Sequence, residues 1–395
     1  MPLGIYISVP FCRTKCSYCN FASEVFSRSV FKGYVDRVCA DIESATETAV
    51  EMGGQMERVV DSIYLGGGTP TVLEAAQLER IFSAVRRWLE VASDAEVTVE
   101  CAPGTLTPAV VECLLRCGVS RVSLGVQSFV DQESAAVGRL HTRSVVVEEI
   151  ARLRSAGISN INLDLIAGLP HQTAESWAVS LAETIATDAP HVSVYMLEVD
   201  EDSRLGRELL AGGTRYHAHF VPDEDATADF YLAACEQLDA AGIAQYEISN
   251  FARPGFESRH NLKYWTRQPY FGIGVDAHSM LASATADVEA VRFASADSLD
   301  RYMAGGRLQR GVVTGRAALE ESFFLGLRLT QGISLREMAT EFGEETIGSF
   351  RSTIEEFVEC GLLERRGNVV RLTGRGRLLS NDVFEKFIVA DEVVR

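Results

Sequence analysis

The chain has 395 residues, 47% hydrophobic and 23% charged, enough for two or three domains around sizeable cores. Lys plus Arg number 37 against 55 Asp plus Glu, a formal charge of −18, which argues against an electrostatic grip on nucleic acid or on an anionic membrane surface. The opening Met-Pro-Leu-Gly-Ile-Tyr lacks a signal-peptide pattern, no apolar run reaches the roughly 18 residues of a membrane span, and nine cysteines form no regular framework, so reduced thiols in a cytoplasmic setting are expected.

An apolar run over 5–9 predicts the first strand, and Cys12, Cys16 and Cys19 stand directly behind it. Further strand-like runs follow at 62–65, 96–100, 121–125, 160–166 and 191–196. Amphipathic helical patterns lie between them, at 31–52, 75–91, 108–117 and 145–156. Gly118 and Gly157 follow two of these helices, where glycine suits a left-handed cap. Strand–helix alternation implies parallel strands joined by right-handed crossovers. Six such units are too few for a closed eight-stranded barrel, so the expected fold is α/β, a partial (β/α)6 barrel over residues 1–225. Residues 226–315 break the pattern, with a helix at 226–241, an extended segment at 245–251, the hexapeptide His260-Asn261-Leu262-Lys263-Tyr264-Trp265, and a Gly-rich run over 271–279. Residues 316–395 read as three helices and a short β-like end around Gly367-Asn368, a small, mostly helical, winged-helix-like domain.

The polar and glycine-rich groups fall at strand C-terminal ends: the Cys loop, Gly66-Gly67-Gly68-Thr69-Pro70, Glu100, Gln127 and Asp164. In parallel barrels that is the face where chemistry is done. Three thiolates cover three irons of a [4Fe–4S] cluster and leave the fourth open. Zinc is the rival, but structural zinc favours paired Cys-x2-Cys sites with four protein ligands. Arg13 and Lys15 are expected to lower the thiol pKa values. The triple glycine lacks the Lys-Ser/Thr of a phosphate-binding loop, so a backbone groove for an amino-acid moiety suits it better, although such a stretch alone is more often a tight turn than a site. His278 lies in a Gly-rich loop that could face the active site, although a structural role is the favoured reading; His141, His171 and His191 read as positional, and His217 and His219 as solvated. Cys39, Cys101, Cys113, Cys117, Cys235 and Cys360 read as small core residues.

The Cys-x3-Cys-x2-Cys loop, Tyr18 before its third Cys, and Gly-Gly-Gly-Thr-Pro after strand two resemble the radical S-adenosylmethionine superfamily. The whole chain resembles the coproporphyrinogen dehydrogenase-like branch. The resemblance implies a [4Fe–4S] cluster on Cys12, Cys16 and Cys19, with S-adenosylmethionine chelating the open iron. It implies that Tyr6, Tyr18, Gly67, Gly68, Thr69, Glu100, Gln127, Arg139 and Asp164 surround that ligand, and that Met196 adds a backbone contact. Within the branch, Phe21 stands where oxygen-independent coproporphyrinogen III oxidases carry a further Cys, and the long extension those enzymes have before the first strand is missing. The hexapeptide from His260 matches the His-Asn-x-x-Tyr-Trp signature of HemW-type haem chaperones. On that resemblance His260, Tyr264 and Trp265 bind haem, Arg259 and Lys263 meet its propionates, and the recipients are haem proteins such as cytochromes. Oxidative decarboxylation of coproporphyrinogen III is the alternative function, and a homodimer is left open.

Overall fold

Leu3, Ile5, Ile7 and Val9 alternate with Gly4, Tyr6 and Ser8 along the first strand, and that period of two sets the architecture. The computed structural model describes residues 1–286 and 288–388. Its first strands in chain order are β1 (Leu3–Val9), β2 (Gly54–Gln55), β3 (Val59–Gly67), β4 (Glu90–Cys101), β5 (Arg121–Gln127), β6 (Asn160–Ala167) and β7 (His191–Met196). Apart from the short β2, these lie side by side in chain order, all parallel. This is the expected α/β arrangement.

One face of each strand is apolar, including Ile63 and Leu65, Val97 and Val99, Val122 and Leu124, Ile161 and Leu163, and Val192 and Val194. These side chains share the main core with the helices Phe31–Glu43, Ala75–Trp88, Pro108–Arg116, Arg143–Ser155 and Ala174–Ala186. The other face carries Tyr6 and Ser8, Ser62 and Tyr64, Glu96, Thr98 and Glu100, Arg121 and Ser123, Asn162 and Asp164, and His191 and Ser193. An eight-stranded barrel interior is filled by Val, Ile and Leu. A polar inner face is instead suited to a bound polar ligand.

The chain after β7 widens the same sheet at both edges. The strands β8 (Ala244–Gln245) and β9 (Asn250–Ala252) run antiparallel outside β7. On the far edge β10 (Tyr270–Ile273) pairs parallel with β1, and β11 (His278–Ser283), β12 (Ala290–Ala294) and β13 (Gln309–Val313) continue antiparallel. The segment expected to be extended over 245–251 is therefore a tight hairpin, closed by Tyr246 N–H donating to Asn250 O at 3.1 Å. The helix expected over 31–52 is two helices that break at Ser44, whose hydroxyl donates back to Ala40 O at 3.1 Å. The helix from 75 stops at Trp88, because Leu89 turns extended and Val91 already pairs with Val60.

The C-terminal part has its own core around Phe323, Phe350, Phe357, Val370 and Phe387. Its helices Gly315–Gly326, Leu335–Phe342 and Arg351–Glu359 pack with a small sheet of β14 (Ile333–Ser334), β15 (Leu363–Arg366) and β16 (Val369–Leu372), the helical winged-helix-like module expected from sequence. Glu321 ties this module to the large sheet, accepting from Arg267 at 3.2 Å and pairing with Arg292 at 2.9 Å. Glu321→Ala leaves both guanidinium groups without this partner. The expected cost is about 2 kcal/mol, read as a lower urea midpoint; a shift under about 0.5 kcal/mol would mean that solvent already screens the pair. Among the described residues, no helix is long and apolar enough to cross a membrane.

Candidate functional site

β1 delivers the chain into the Cys loop, and backbone bonds pin that loop at both ends. Cys12 N–H donates to Glu24 O at 3.0 Å, and Ser17 N–H donates to Val137 O at 3.1 Å. Lys15 Nζ donates to Phe21 O at 2.8 Å and Ser23 O at 2.6 Å, while Arg13 donates to Gly104 O at 2.8 Å. The two cations therefore brace the loop backbone rather than the thiols. The expected lowering of the thiol pKa by Arg13 and Lys15 does not occur at Cys12. Burial pushes that thiol up, hydrogen bonds from Ser23 and Thr69 oppose the rise, and the neighbouring Cys19 and Cys16 add to it.

Cys12 Sγ lies 4.0 Å from Thr69 Oγ1, and Cys19 Sγ lies 4.0 Å from Ser23 Oγ. Cys16 is buried between them in sequence. Among the described residues, no three His, Cys, Asp or Glu side chains converge to hold a metal ion. A four-iron cluster takes each thiolate on a separate iron, so three thiolates would leave one iron open.

The glycine-rich turn leaves β3 across the end of β1. Gly67 has φ +98°, and a Cβ there would fall 2.7 Å from Ser8 Oγ; a Cβ on Gly68 would fall 2.8 Å from the carbonyls of Val9 and Phe11. Gly68 and Thr69 spend their N–H groups on those two carbonyls, at 2.9 and 2.8 Å. What the turn still offers is acceptor oxygen, which suits an ammonium group.

Glu100 closes β4 beside it. Its carboxylate accepts from Tyr64 Oη at 2.8 Å and from Gly67 N–H at 3.1 Å. Burial pushes its pKa up to about 7; the Tyr64 bond opposes that rise and the charge of Asp164 adds to it. Asp164 accepts from Ser123 Oγ at 2.9 Å and from Asn162 Nδ2 at 2.7 Å. Gln127 sits at φ 69°, in the left-handed region that costs a non-glycine residue energy, where the β5 register shifts. Gly125 makes room there, since a Cβ would fall 2.9 Å from Gln127 Nε2 and 3.3 Å from Arg139 Nη2. Arg139 donates to Tyr18 Oη at 3.1 Å, and its buried Nε has no hydrogen-bond partner. That leaves a donor for a carboxylate. Met196 is the last residue of β7.

A cavity of about 330 Å³ brings Tyr6, Gly67 and Glu100 together with Phe21, Tyr264 and His278; the three cysteines, Tyr18, Gly68, Thr69, Gln127, Arg139, Asp164 and Met196 are not on its lining. It runs from the Cys loop past the strand ends to the hexapeptide helix Arg259–Trp265 and the turn after β10. Tyr264 is the part of the hexapeptide that reaches it. His260 lies behind that wall, 1% exposed, with Nδ1 3.0 Å from Ser62 Oγ and Nε2 2.9 Å from Tyr264 Oη. Burial, with Lys263 and Arg121 adding, lowers its pKa to about 3, so it is neutral. Trp265 is not on the cavity; the Arg328 guanidinium stacks 4.3 Å from its ring centre. Lys263 is not available to propionates either, being 2% exposed and paired with Asp61 at 2.7 Å. Arg259 turns to Asp94 and Asp61.

Sequence reasoning missed Tyr64, which orients Glu100, and the wall residues Tyr270 and Asp276. Tyr64 was accessible by alternation, two residues before Gly66 on the same strand face. His278 is not the structural histidine expected from sequence, because its side chain is 67% exposed at the cavity rim. Of the other cysteines, Cys101, Cys113 and Cys117 are buried as expected, but Cys360 is exposed.

The Radical SAM superfamily model matches residues 6–182, and the HemN C-terminal domain model matches residues 313–379. The superfamily match implies an iron–sulfur cluster and S-adenosylmethionine. The "Heme chaperone HemW" of Bacillus subtilis is 36% identical over 387 residues, covering 97% of this chain and 98% of that protein. The protein of the same name from Escherichia coli is 32% identical, covering 98% of each chain. Among solved structures, coproporphyrinogen III oxidase (HemN) from Escherichia coli superimposes with a TM-score of 0.81 at 22% identity, over 98% of this chain and 90% of that one, a likeness of fold. Similarity that runs from the Cys loop through the hexapeptide to the C-terminal module, at more than a third identity, shows that the chain belongs to the HemW family of radical SAM proteins.

Proposed function

We propose that the protein is a haem chaperone that holds a [4Fe–4S] cluster on Cys12, Cys16 and Cys19, binds S-adenosylmethionine across the strand ends, and passes haem to recipient haem proteins. The observation that carries this reading is the shared cavity, whose wall includes both Glu100 at the strand ends and Tyr264 of the hexapeptide. When bound, the cluster offers an open iron to the methionyl group and an electron to the sulfonium. The chain's own residues bind and orient. The Gly67–Gly68 carbonyls and Thr69 take the ammonium, Arg139 Nε takes the carboxylate, and Glu100 and Asp164 take ribose hydroxyls and the positive charge. Tyr6, Tyr18, Gln127 and Met196 complete the enclosure. Tyr264 gives haem a flat wall, with His260 and Trp265 shaping it from behind.

Transfer is the test. The reconstituted protein loaded with one equivalent of haem, mixed with an apo-cytochrome b, is expected to hand haem over, seen as the recipient's own Soret spectrum after the two are separated. Haem transfer no faster than from free haemin would contradict the reading.

A further inference from the structure

A chaperone needs a haem ligand that solvent and a recipient can reach, and the hexapeptide histidine cannot supply one as it stands. Both ring nitrogens of His260 are hydrogen-bonded and the side chain is sealed. Its helix has little slack to release it. Glu96 accepts from the N–H groups of Arg259 and His260 at 3.1 and 3.2 Å. Gly4 presses directly on it, since a Cβ there would fall 2.8 Å from Lys263 Cδ and 3.2 Å from His260 Cε1.

Among the described residues, one imidazole lines the shared cavity, that of His278 at the start of β11. We propose that His278 ligates the haem iron at the cavity mouth, with Tyr264 and Tyr270 as the wall beside the macrocycle. The proposal rests on the haem-chaperone reading above. It stands on three features of the site.

The imidazole is mounted on a rigid support. Tyr34 Oη donates to Ser8 O at 2.6 Å and accepts from Val275 N–H at 3.2 Å, tying the turn before His278 to β1. Ala277 N–H donates to Ser295 Oγ at 2.9 Å, and Asp276 N–H donates to Ala296 O at 2.9 Å. Gly272 lets β10 approach the His278 backbone directly, where a Cβ would overlap its carbonyl. These bonds fix the backbone that carries the imidazole, while the side chain stays exposed to an incoming ligand.

A carboxylate also flanks the imidazole. Asp276 Oδ1 lies 3.7 Å from His278 Nε2, too far for a hydrogen bond, and places negative charge beside the position an iron would take.

The surroundings suit a flat apolar ligand with one open face. Tyr264 and Tyr270 meet edge to face, 4.6 Å apart at 85°, and Phe21 stands on the cavity lining 69% exposed. A cavity of about 330 Å³ is at the small end for one cofactor-sized ligand, so with S-adenosylmethionine inside, the macrocycle lies across the mouth. There a recipient can reach it.

The test is a haemin titration of the full-length, cluster-reconstituted chain, followed by absorption and electron paramagnetic resonance. His278→Ala and His278→Gln are expected to lose at least tenfold in haem affinity and to lose the parent's low-spin signature, and free imidazole is expected to restore the Soret position. His219→Ala, an exposed histidine away from this cavity, is expected to match the parent. S-adenosylmethionine affinity in the His278 variants should stay within twofold, separating a lost ligand from a damaged site. His278 variants with the parent's spectrum and affinity within twofold overturn the proposal alone. A parent that binds no haem overturns the chaperone reading and the proposal with it.

Discussion

Cys16→Ala is expected to lose the cluster and, with it, S-adenosylmethionine binding, while the fold survives. Three thiolates supply the protein's share of ligands, one to an iron, and none is spare. Cys16 is the buried member of the trio, with Cys19 N–H donating to its carbonyl at 3.3 Å, a backbone contact that Ala keeps. The expected iron content after anaerobic reconstitution falls from about four per chain to less than one, and the broad absorption near roughly 400 nm disappears. The apo variant should unfold within about 1 kcal/mol of the apo parent, since it loses one sulfur from a loop rather than a core side chain. Cys113 supplies the contrast. Its thiol lies 3.9 Å from that of Cys117 on the helix Pro108–Arg116, in the main core. Cys113→Ala should keep full iron content and lose about 1 kcal/mol of stability. Normal iron in Cys16→Ala would remove the trio from the site.

Glu100→Gln should move binding and stability in opposite directions. The ordinary carboxyl value is 4.5, and burial holds Glu100 at about 7 in the fold. As pH rises between those values, the unfolded chain loses its proton first. The apo fold therefore becomes progressively less stable up to pH 7 and carries the full cost above it, at most about 3 kcal/mol. Gln removes the buried charge but turns one acceptor away from Gly67 N–H or Tyr64 Oη. The net expectation is an apo protein more stable than the parent by about 1–2 kcal/mol at pH 8, with no gain at pH 4. Binding follows the opposite sign, because a cationic ligand wants the ionised carboxylate. S-adenosylmethionine affinity in the parent should weaken up to tenfold for each pH unit below 7 and level off above it. Glu100→Gln should bind roughly tenfold to a hundredfold more weakly at pH 8, the value of charge-assisted hydrogen bonds, and lose the pH slope. Calorimetry on reconstituted protein reads both. A parent profile flat from pH 6 to 8 would place Glu100 outside the ligand's reach.

The strand ends were legible in sequence because β-alternation is strict. Once the apolar run at β1 is read, Glu100 and Gln127 fall at the ends of parallel strands and the triple glycine falls where β3 exits, whereas Asp164 stands inside β6, which runs on to Ala167. The hexapeptide was legible as a motif but not as a place. A His between Arg and Asn gives no sign that Glu96 caps its helix, or that Gly4 lets it sink until His260 is sealed. Both facts depend on partners more than 160 residues away in the chain. Lys263 misled for the same reason, since a lysine beside aromatics reads as a surface cation until Asp61 appears 2.7 Å away. The break at Ser44 and the hairpin at Asn250 were hidden because a single hydroxyl or carbonyl decides each.

The most direct measurement is an anaerobic haemin titration on the reconstituted chain, run beside a coproporphyrinogen III assay on the same sample. A haem-delivery protein shows a saturable Soret band at one haem per chain and no protoporphyrinogen product. Conversion of coproporphyrinogen III without saturable haem binding would contradict it.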